Sequence, residues 1–297
     1  MAEENKGIVH RCLEELGLKS LYHSSRDIKL LCLQRFVRLF AYGASTLVLV
    51  AFLEGLGHSK TKIGLFMTLT LWGDVCISFV LTLFADGLGR KAILAVGAAL
   101  MAASGVIFGL FGNYWILLAA AVFGVISPAG NEIGPFRAIE ESVVGHLTSS
   151  AHRSDIYAWY SLLGTAGAAF GVMTGGWVVH YLMTSRHWEE LEAYRIIFYG
   201  YAALGVVKLL LALMLSGAIE AEKKQQKLST SNAETAPLLG ESNADGNSAA
   251  VAEQPEVEPK RGIRALLPEI SKESWSILIS LCLLFAVDSF ASGLASL

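Results

Sequence analysis

LFADGLGRKAIL, from Leu83 to Leu94, is a short charged turn between two long apolar runs. The whole chain of 297 residues is 54% hydrophobic and only 16% charged, which is too apolar for a typical soluble domain. A bilayer core about 30 Å thick needs roughly 20 apolar residues of helix to cross it, and the runs on both sides of the turn are that long. The turn therefore marks a water boundary between two membrane-spanning helices.

Seven apolar windows are long enough to span a bilayer, and none has the strict alternation of a β-barrel strand. The windows cover residues 36–56, 63–85, 92–112, 114–133, 157–183, 196–217 and 275–297. We expect an all-α, polytopic membrane protein. Its parts are a tail over residues 1–34, a six-helix N-terminal bundle over 35–217, a linker over 218–272 and a seventh transmembrane helix over 273–297.

Lysine and arginine are distributed unevenly between the two sets of loops. One set, with the N-terminal tail and the linker, holds most of them, whereas the other holds only Lys60, Lys62, Arg186 and Arg195. Loops that remain in the cytoplasm carry the excess of basic residues, so the N-terminus is predicted to be cytoplasmic. The linker is rich in Ser, Asn, Ala, Glu and Gln, and it is predicted to be a disordered cytoplasmic segment.

The charged turn also resembles a loop of a known protein family. Asp86, Gly89, Arg90 and Lys91 match the loop Gly-x-x-x-Asp-Arg-x-Gly-Arg-Lys, which lies between helices two and three in the major facilitator superfamily. Six helices, a long linker and the start of a second set also resemble that superfamily, whose members pair two six-helix halves. The resemblance is to a fungal-type or drug:proton antiporter-like member.

The resemblance implies that this loop is a latch between the two halves, with Asp86 and Arg90 carrying that role. Two positions depart from the family pattern, because Thr82 stands where Gly is expected and Gly87 where the first Arg is expected. The residues alone support another interpretation, in which Gly89 permits a tight turn and Arg90 and the following lysine anchor at anionic headgroups.

Glycines recur on the fifth predicted helix. Gly167, Gly171, Gly175 and Gly176 are similar to the Gly-x-x-x-Gly-Pro-x-x-Gly-Gly signature of proton-coupled drug antiporters, with Val172 in place of the proline. Glycines four residues apart also let a neighbouring helix approach closely, and this packing explains the spacing without any antiporter function.

Charged residues within the predicted spans are candidates for a coupling or substrate site, because charge inside a membrane is costly and usually faces a cavity or a partner. Asp74 in helix two is the leading candidate, and Asp288 in helix seven has a similar position. A structural hydrogen bond is the alternative for Asp74. Arg38 either belongs to the site or extends to the headgroups. Lys208 either pairs with an intramembrane acid or extends in the same way.

The stretch GNEIGPFRAIEES, from Gly130 to Ser142, ends the fourth predicted helix and contains a candidate cytoplasmic gate formed by Glu132, Arg137, Glu140 and Glu141. Pro135 is expected to break the helix there, leaving Arg137 to pair with Glu140 or Glu141 at helical spacing. A solvated helix end with no gating role is the alternative.

The linker contains ETAPLL, an acidic residue followed four positions later by two leucines. This pattern, with Glu234, Leu238 and Leu239, resembles a sorting signal that a coat adaptor recognises. It predicts delivery to a vacuolar or lysosomal membrane.

These observations favour a transporter of a small solute, working by alternating access and driven by protons. A seven-helix receptor is the second hypothesis, although its N-terminus would face outside. The third hypothesis is a truncated, non-transporting half-transporter that acts through association with another chain, because the chain ends inside an apolar helix at Leu297. No catalytic, metal-binding or phosphate-loop pattern occurs in the aqueous segments, and no enzyme activity, cofactor or nucleic-acid partner is predicted.

Overall fold

The computed structural model describes residues 17–124 and 135–220, together with residues 280 and 284. The chain divides into two compact units, residues 1–237 and 238–297, and the helices named here all belong to the first. Within the described residues this unit contains eight α-helices and a 3₁₀ turn. They are α1 (Leu18–His23), α2 (Arg26–Gly55), α3 (Lys60–Leu88), α4 (Arg90–Leu110), α5 (Tyr114–Phe123), α6 (Pro135–Leu147), α7 (Arg153–Ser185), α8 (Glu190–Leu213) and the turn Gly217–Glu220.

Four helices of the described part are long and apolar enough to cross a membrane, namely α2, α4, α7 and α8. They correspond to the first, third, fifth and sixth predicted spans, and α3 covers the second. The all-helical membrane fold expected from the sequence is therefore confirmed. The predicted seventh helix lies outside the described residues, apart from Ser280 and Leu284, which are both helical.

The first spanning helix begins ten residues earlier than predicted, at Arg26 instead of Phe36. Ser25 caps its N-terminus, accepting a hydrogen bond from the backbone N–H of Ile28 at 3.4 Å. Three polar residues of this added segment, Asp27, Gln34 and Arg35, are buried, and Asp27 accepts hydrogen bonds from Ser216 just beyond the end of α8. A search for apolar runs misses this segment because its polar residues are buried only by contact with helices distant in the sequence.

The fourth predicted span begins as expected at Tyr114, where the side chain of Asn113 accepts hydrogen bonds from the N–H groups of Trp115 and Ile116. Residues 125–134 lie outside the described part. The next helix, α6, begins at Pro135, a residue that is favoured in the first turn of a helix because it lacks an N–H to be satisfied. Pro135 therefore starts a helix in the structure.

The longest packed seam joins α2 and α7, and the glycines of α7 make it possible. A Cβ atom at Gly171 would lie 2.0 Å from the carbonyl oxygen of Phe40, and one at Gly167 would lie 2.6 Å from that of Phe36. At Gly176 a Cβ atom would make only an ordinary contact, 3.6 Å from Leu47. Close backbone approach is thus required at two of the predicted packing positions.

Two apolar cores lie along the bundle. The tail core, near the end at which α2 begins, includes Leu31, Ile139, Val143, Ile156 and Ala212. The far core is centred on three phenylalanines, Phe52, Phe108 and Phe198, whose ring centroids are 4.8 to 6.2 Å apart.

The boundary between these cores falls at the same level on two helices. Along α2, Cys32 belongs to the tail core and Ala41 to the far core. Along α8, Tyr201 belongs to the far core and Ala212 to the tail core. Charged residues of both helices occupy the gap, and they form the site described next.

Candidate functional site

One carboxylate connects four helices at the level between the two cores. Glu140 of α6 has no exposed side-chain surface, and its Oε2 accepts hydrogen bonds from Arg38 Nη2 of α2 at 2.9 Å and from the Tyr160 hydroxyl of α7 at 2.6 Å. Its Oε1 lies 3.5 Å from Nζ of Lys208 on α8, a side chain that is only 2% exposed. Both oxygens of Glu140 therefore face a cation.

Arg35 extends this arrangement by one residue. Its guanidinium carbon lies 4.4 Å from the centroid of the Tyr160 ring, and its Nη1 donates a hydrogen bond to the Tyr160 hydroxyl at 3.4 Å. That hydroxyl thus accepts from Arg35 while it donates to Glu140. The five residues Arg35, Arg38, Glu140, Tyr160 and Lys208 are called the Glu140 cluster below. The cation over the ring adds an attraction that strengthens when water is excluded.

Such a cluster is stable only while both signs of charge are present. Ions lose several kcal/mol each when they leave water, and their mutual attraction offsets this loss only with good geometry and additional hydrogen bonds. The short contacts from Arg38 and Tyr160 to Glu140 supply that geometry. Ionisable groups buried among membrane helices are functional-site candidates by default, because apolar residues would be the less costly way to fill the same space.

Asp74 is a second buried carboxylate of the bundle. It is the central residue of α3, 14 positions from Lys60 and 14 from Leu88, and it is 2% exposed. The hydroxyl of the buried Tyr201 donates a hydrogen bond to the carbonyl oxygen of Gly124 at 3.3 Å, and this hydroxyl lies within electrostatic range of both Arg38 and Asp74. Asp74 and Arg38 therefore lie near one buried tyrosine.

The structure corrects two of the interpretations made from the sequence. One interpretation of the sequence had the Arg38 side chain extending to the lipid headgroups, but its guanidinium pairs with Glu140. The interpretation of this segment as a solvated helix end is wrong for Glu140, whose side chain is fully buried. The same interpretation fits Arg137 and Glu141, whose side chains are 46% and 32% exposed. Arg137 Nε donates to Glu141 Oε1 at 2.7 Å. The physical reason is helical periodicity, since adjacent residues point about 100° apart. Lys208 pairs with an acid.

The charged turn is as tight as the sequence predicted. Gly89 alone separates α3 from α4, and its φ of 94° is accessible to glycine at little cost. Lys91 is placed differently from the headgroup interpretation, because its Nζ donates to the carbonyl oxygen of Leu215 at 2.6 Å, near the end of α8. A cation at the last carbonyls of a helix stabilises that end.

Several predicted site residues stay untested. The side chain of Asp86 lies outside the described part, as do Glu132, Asp288 and the sorting residues Glu234, Leu238 and Leu239. The latch role of the turn and the gate role of α6 remain predictions. Within residues 17–124 and 135–220 no group of three His, Cys, Asp or Glu side chains is arranged to hold a metal ion.

Sequence reasoning missed Arg35, Tyr160 and Tyr201 as parts of the site. Tyrosines near helix ends resemble interfacial anchors, so Tyr160 carried no signal of its own. Arg35 was placed at the first residue of the bundle, one position before the predicted first span, so it was not counted among the charged residues within the spans. A helix start at Arg26 would have placed it within the span.

Comparison with known proteins identifies the family. The family model of the Major Facilitator Superfamily matches residues 31–297, so the chain belongs to that superfamily. An uncharacterized membrane protein of Saccharomyces cerevisiae, YJR124C, is 39% identical over 271 residues, covering 91% of this chain and 58% of its own length.

Two more distant relatives are similar over shorter regions. The major facilitator-type transporter psiT2 of Psilocybe cubensis is 28% identical over 39% of this chain and 21% of its own length. The quinolone resistance protein NorA of Staphylococcus aureus is 22% identical over 64% of this chain and 45% of its own length. The chain thus spans less than two thirds of the length of each of these three relatives.

Proposed function

We propose that the chain forms the N-terminal half of a secondary transporter, which moves a small organic solute by alternating access and is driven by proton binding at Asp74. The observation that carries this proposal is the position of Asp74, a carboxylate that is 2% exposed at the centre of α3. Membership of the superfamily supports the general class, since its members pair two halves around a site near the middle of the membrane.

The electrostatics favour Asp74 over Glu140 as the residue that exchanges protons. Glu140 is held by Arg38, Lys208 and Tyr160, so removal of its charge breaks the ion pairs to two other helices and weakens the hydrogen bond to a third. A proton on Asp74 leaves these contacts of Glu140 in place. We therefore infer that Asp74, and not Glu140, is the carboxylate that exchanges protons.

The name of one relative, a quinolone resistance protein, supports a small organic solute. The name of another, a transporter of the major facilitator type, supports transport. The acidic dileucine pattern supports a vacuolar or lysosomal location, and the distribution of basic residues supports a cytoplasmic N-terminus.

The test uses the native protein reconstituted into vesicles with an imposed pH gradient, and a panel of labelled organic cations, amino acids and sugars as probes. Asp74→Asn is expected to abolish gradient-driven accumulation of any probe that the native protein accumulates, while downhill exchange continues. Glu192→Gln, which neutralises an exposed carboxylate on α8, is the control and should behave as the native protein does. Gradient-driven accumulation that persists in Asp74→Asn would rule out the coupling role.

A second candidate function is that of a half-transporter that associates with a separate second chain, because members of the superfamily pair two six-helix halves. Cross-linking of the native protein in its membrane, followed by sizing, separates the two cases. A partner chain in the cross-linked product supports association, and a single chain of the length of the yeast relative supports one continuous transporter.

A further inference from the structure

An open cleft of about 670 Å³ lies at the tail end of the bundle. Its walls come from α1, the start of α2, the end of α6 and the start of α7, and no member of the Glu140 cluster lines it. The volume is within the range of roughly 300–1,000 Å³ that small-molecule sites occupy. The transport function proposed above does not use this cleft.

Hydroxyl groups form a large part of the walls. They belong to Ser20, Ser24, Ser25, Thr148 and Ser149. The three serines near α1 already make hydrogen bonds to neighbouring groups. Thr148 differs, since it is 7% exposed and its Oγ1 makes no hydrogen bond within the described part of the chain. A buried hydroxyl without a partner carries a desolvation cost, which a bound ligand would offset.

Basic groups share the cleft with these hydroxyls. Lys19, His23 and His152 line it, against one carboxylate, Asp155, whose Oδ2 accepts a hydrogen bond from the Ser20 hydroxyl at 2.8 Å. α7 begins directly after His152, and the side chain of that residue does not cap the helix. The N-terminus of a 33-residue helix, whose positive dipole end favours anions, therefore lies beside the same wall.

We propose that this cleft binds a phosphomonoester. Hydroxyl, imidazole and ammonium groups together with helix N-terminal N–H groups are the donors that phosphate oxygens accept from in proteins. The cleft lies where two membrane-spanning helices, α2 and α7, begin, so that a phosphorylated lipid headgroup and a soluble phosphate compound both have access. Either source presents the same chemical group to the cleft.

Binding to the purified native protein distinguishes the sources. In detergent, the probes are inorganic phosphate and glycerol 3-phosphate, and binding is followed by isothermal titration calorimetry. In phosphatidylcholine nanodiscs, the probe is added phosphatidylinositol 4-phosphate, counted as bound lipid by native mass spectrometry. Binding of the soluble probes assigns the cleft to a soluble phosphate compound, and binding of the lipid alone assigns it to a headgroup.

Variants of three neighbouring residues test the location. Ser149→Glu places a carboxylate in the cleft and should weaken binding about tenfold, because like charges at short range repel. Ser150→Glu adds the same charge at the next exposed position, which does not line the cleft, and should change binding less than about twofold because the charge is farther from the ligand and is screened by solvent. Thr148→Val removes only the Oγ1 hydrogen-bonding group, so the fold is retained, and binding should fall about fivefold.

Two results would overturn the proposal. One is the absence of binding by every probe. The other is an equal loss of affinity in Ser149→Glu and Ser150→Glu together with native affinity in Thr148→Val, which would show a general charge effect at the membrane surface. Thermal unfolding of each variant verifies that the compared proteins are folded.

Discussion

Replacement of Glu140 by glutamine tests the cluster at its centre. The substitution keeps the shape of the side chain but removes the charge that faces Arg38 and Lys208, whose side chains are 13% and 2% exposed. Breaking a buried ion pair typically costs about 3–5 kcal/mol. The amide oxygen of glutamine can still accept the hydrogen bond from Tyr160, so we expect a loss near the lower end, about 3 kcal/mol.

The assay is equilibrium unfolding of the native protein in mixed micelles, titrated with sodium dodecyl sulfate and followed by far-ultraviolet circular dichroism. Glu141→Gln is the matched control, because the adjacent Glu141 makes an exposed pair with Arg137 and exposed pairs contribute about 0–1 kcal/mol. The combination Glu140→Gln with Lys208→Met should destabilise less than the two single changes added together, by about 1 kcal/mol or more.

Two results would refute the stabilising role of Glu140. If Glu140→Gln loses no more stability than Glu141→Gln, or if the effects of Glu140→Gln and Lys208→Met are additive, then the carboxylate does not hold the four helices together. The placement of the cluster between the two cores would then have no energetic consequence.

Two further predictions use the same unfolding assay. Gly171→Ala should cost about 2–3 kcal/mol of stability, because its Cβ would meet the carbonyl oxygen of Phe40 at 2.0 Å. The control Gly176→Ala has only ordinary contacts and should change stability by less than about 1 kcal/mol. Equal effects of the two variants would contradict the close packing of α2 and α7. Tyr160→Phe removes the hydroxyl that donates to Glu140 at 2.6 Å and should cost about 1–3 kcal/mol, and an unchanged stability would show that this hydrogen bond contributes nothing.

Much of the fold follows from local sequence signals. Apolar runs of about 20 residues locate the spanning helices, and the glycine at position 89 supplies the positive φ that the turn requires. The spacing of Gly167 and Gly171 indicates a close helix neighbour, which the structure identifies as α2. These features depend on residues near one another in the chain.

The partners within the Glu140 cluster could not be predicted in the same way. Arg38 and Glu140 are 102 positions apart in the chain, and their contact depends on how whole helices pack. Glu141 has the same chemistry as its neighbour and is half-exposed, because one step along a helix turns the side chain to another face. Composition cannot distinguish two such carboxylates, since burial is a property of the packed bundle.

Proton-driven accumulation of a solute tests the central claim most directly. The native protein is reconstituted into vesicles, and uptake of each labelled organic cation, amino acid and sugar is measured with a pH gradient, without one, and with the gradient collapsed by a protonophore. Our account predicts that at least one solute accumulates above its equilibrium level only while the gradient is present. Equal final levels under all three conditions, for every solute that enters, would contradict proton-coupled transport.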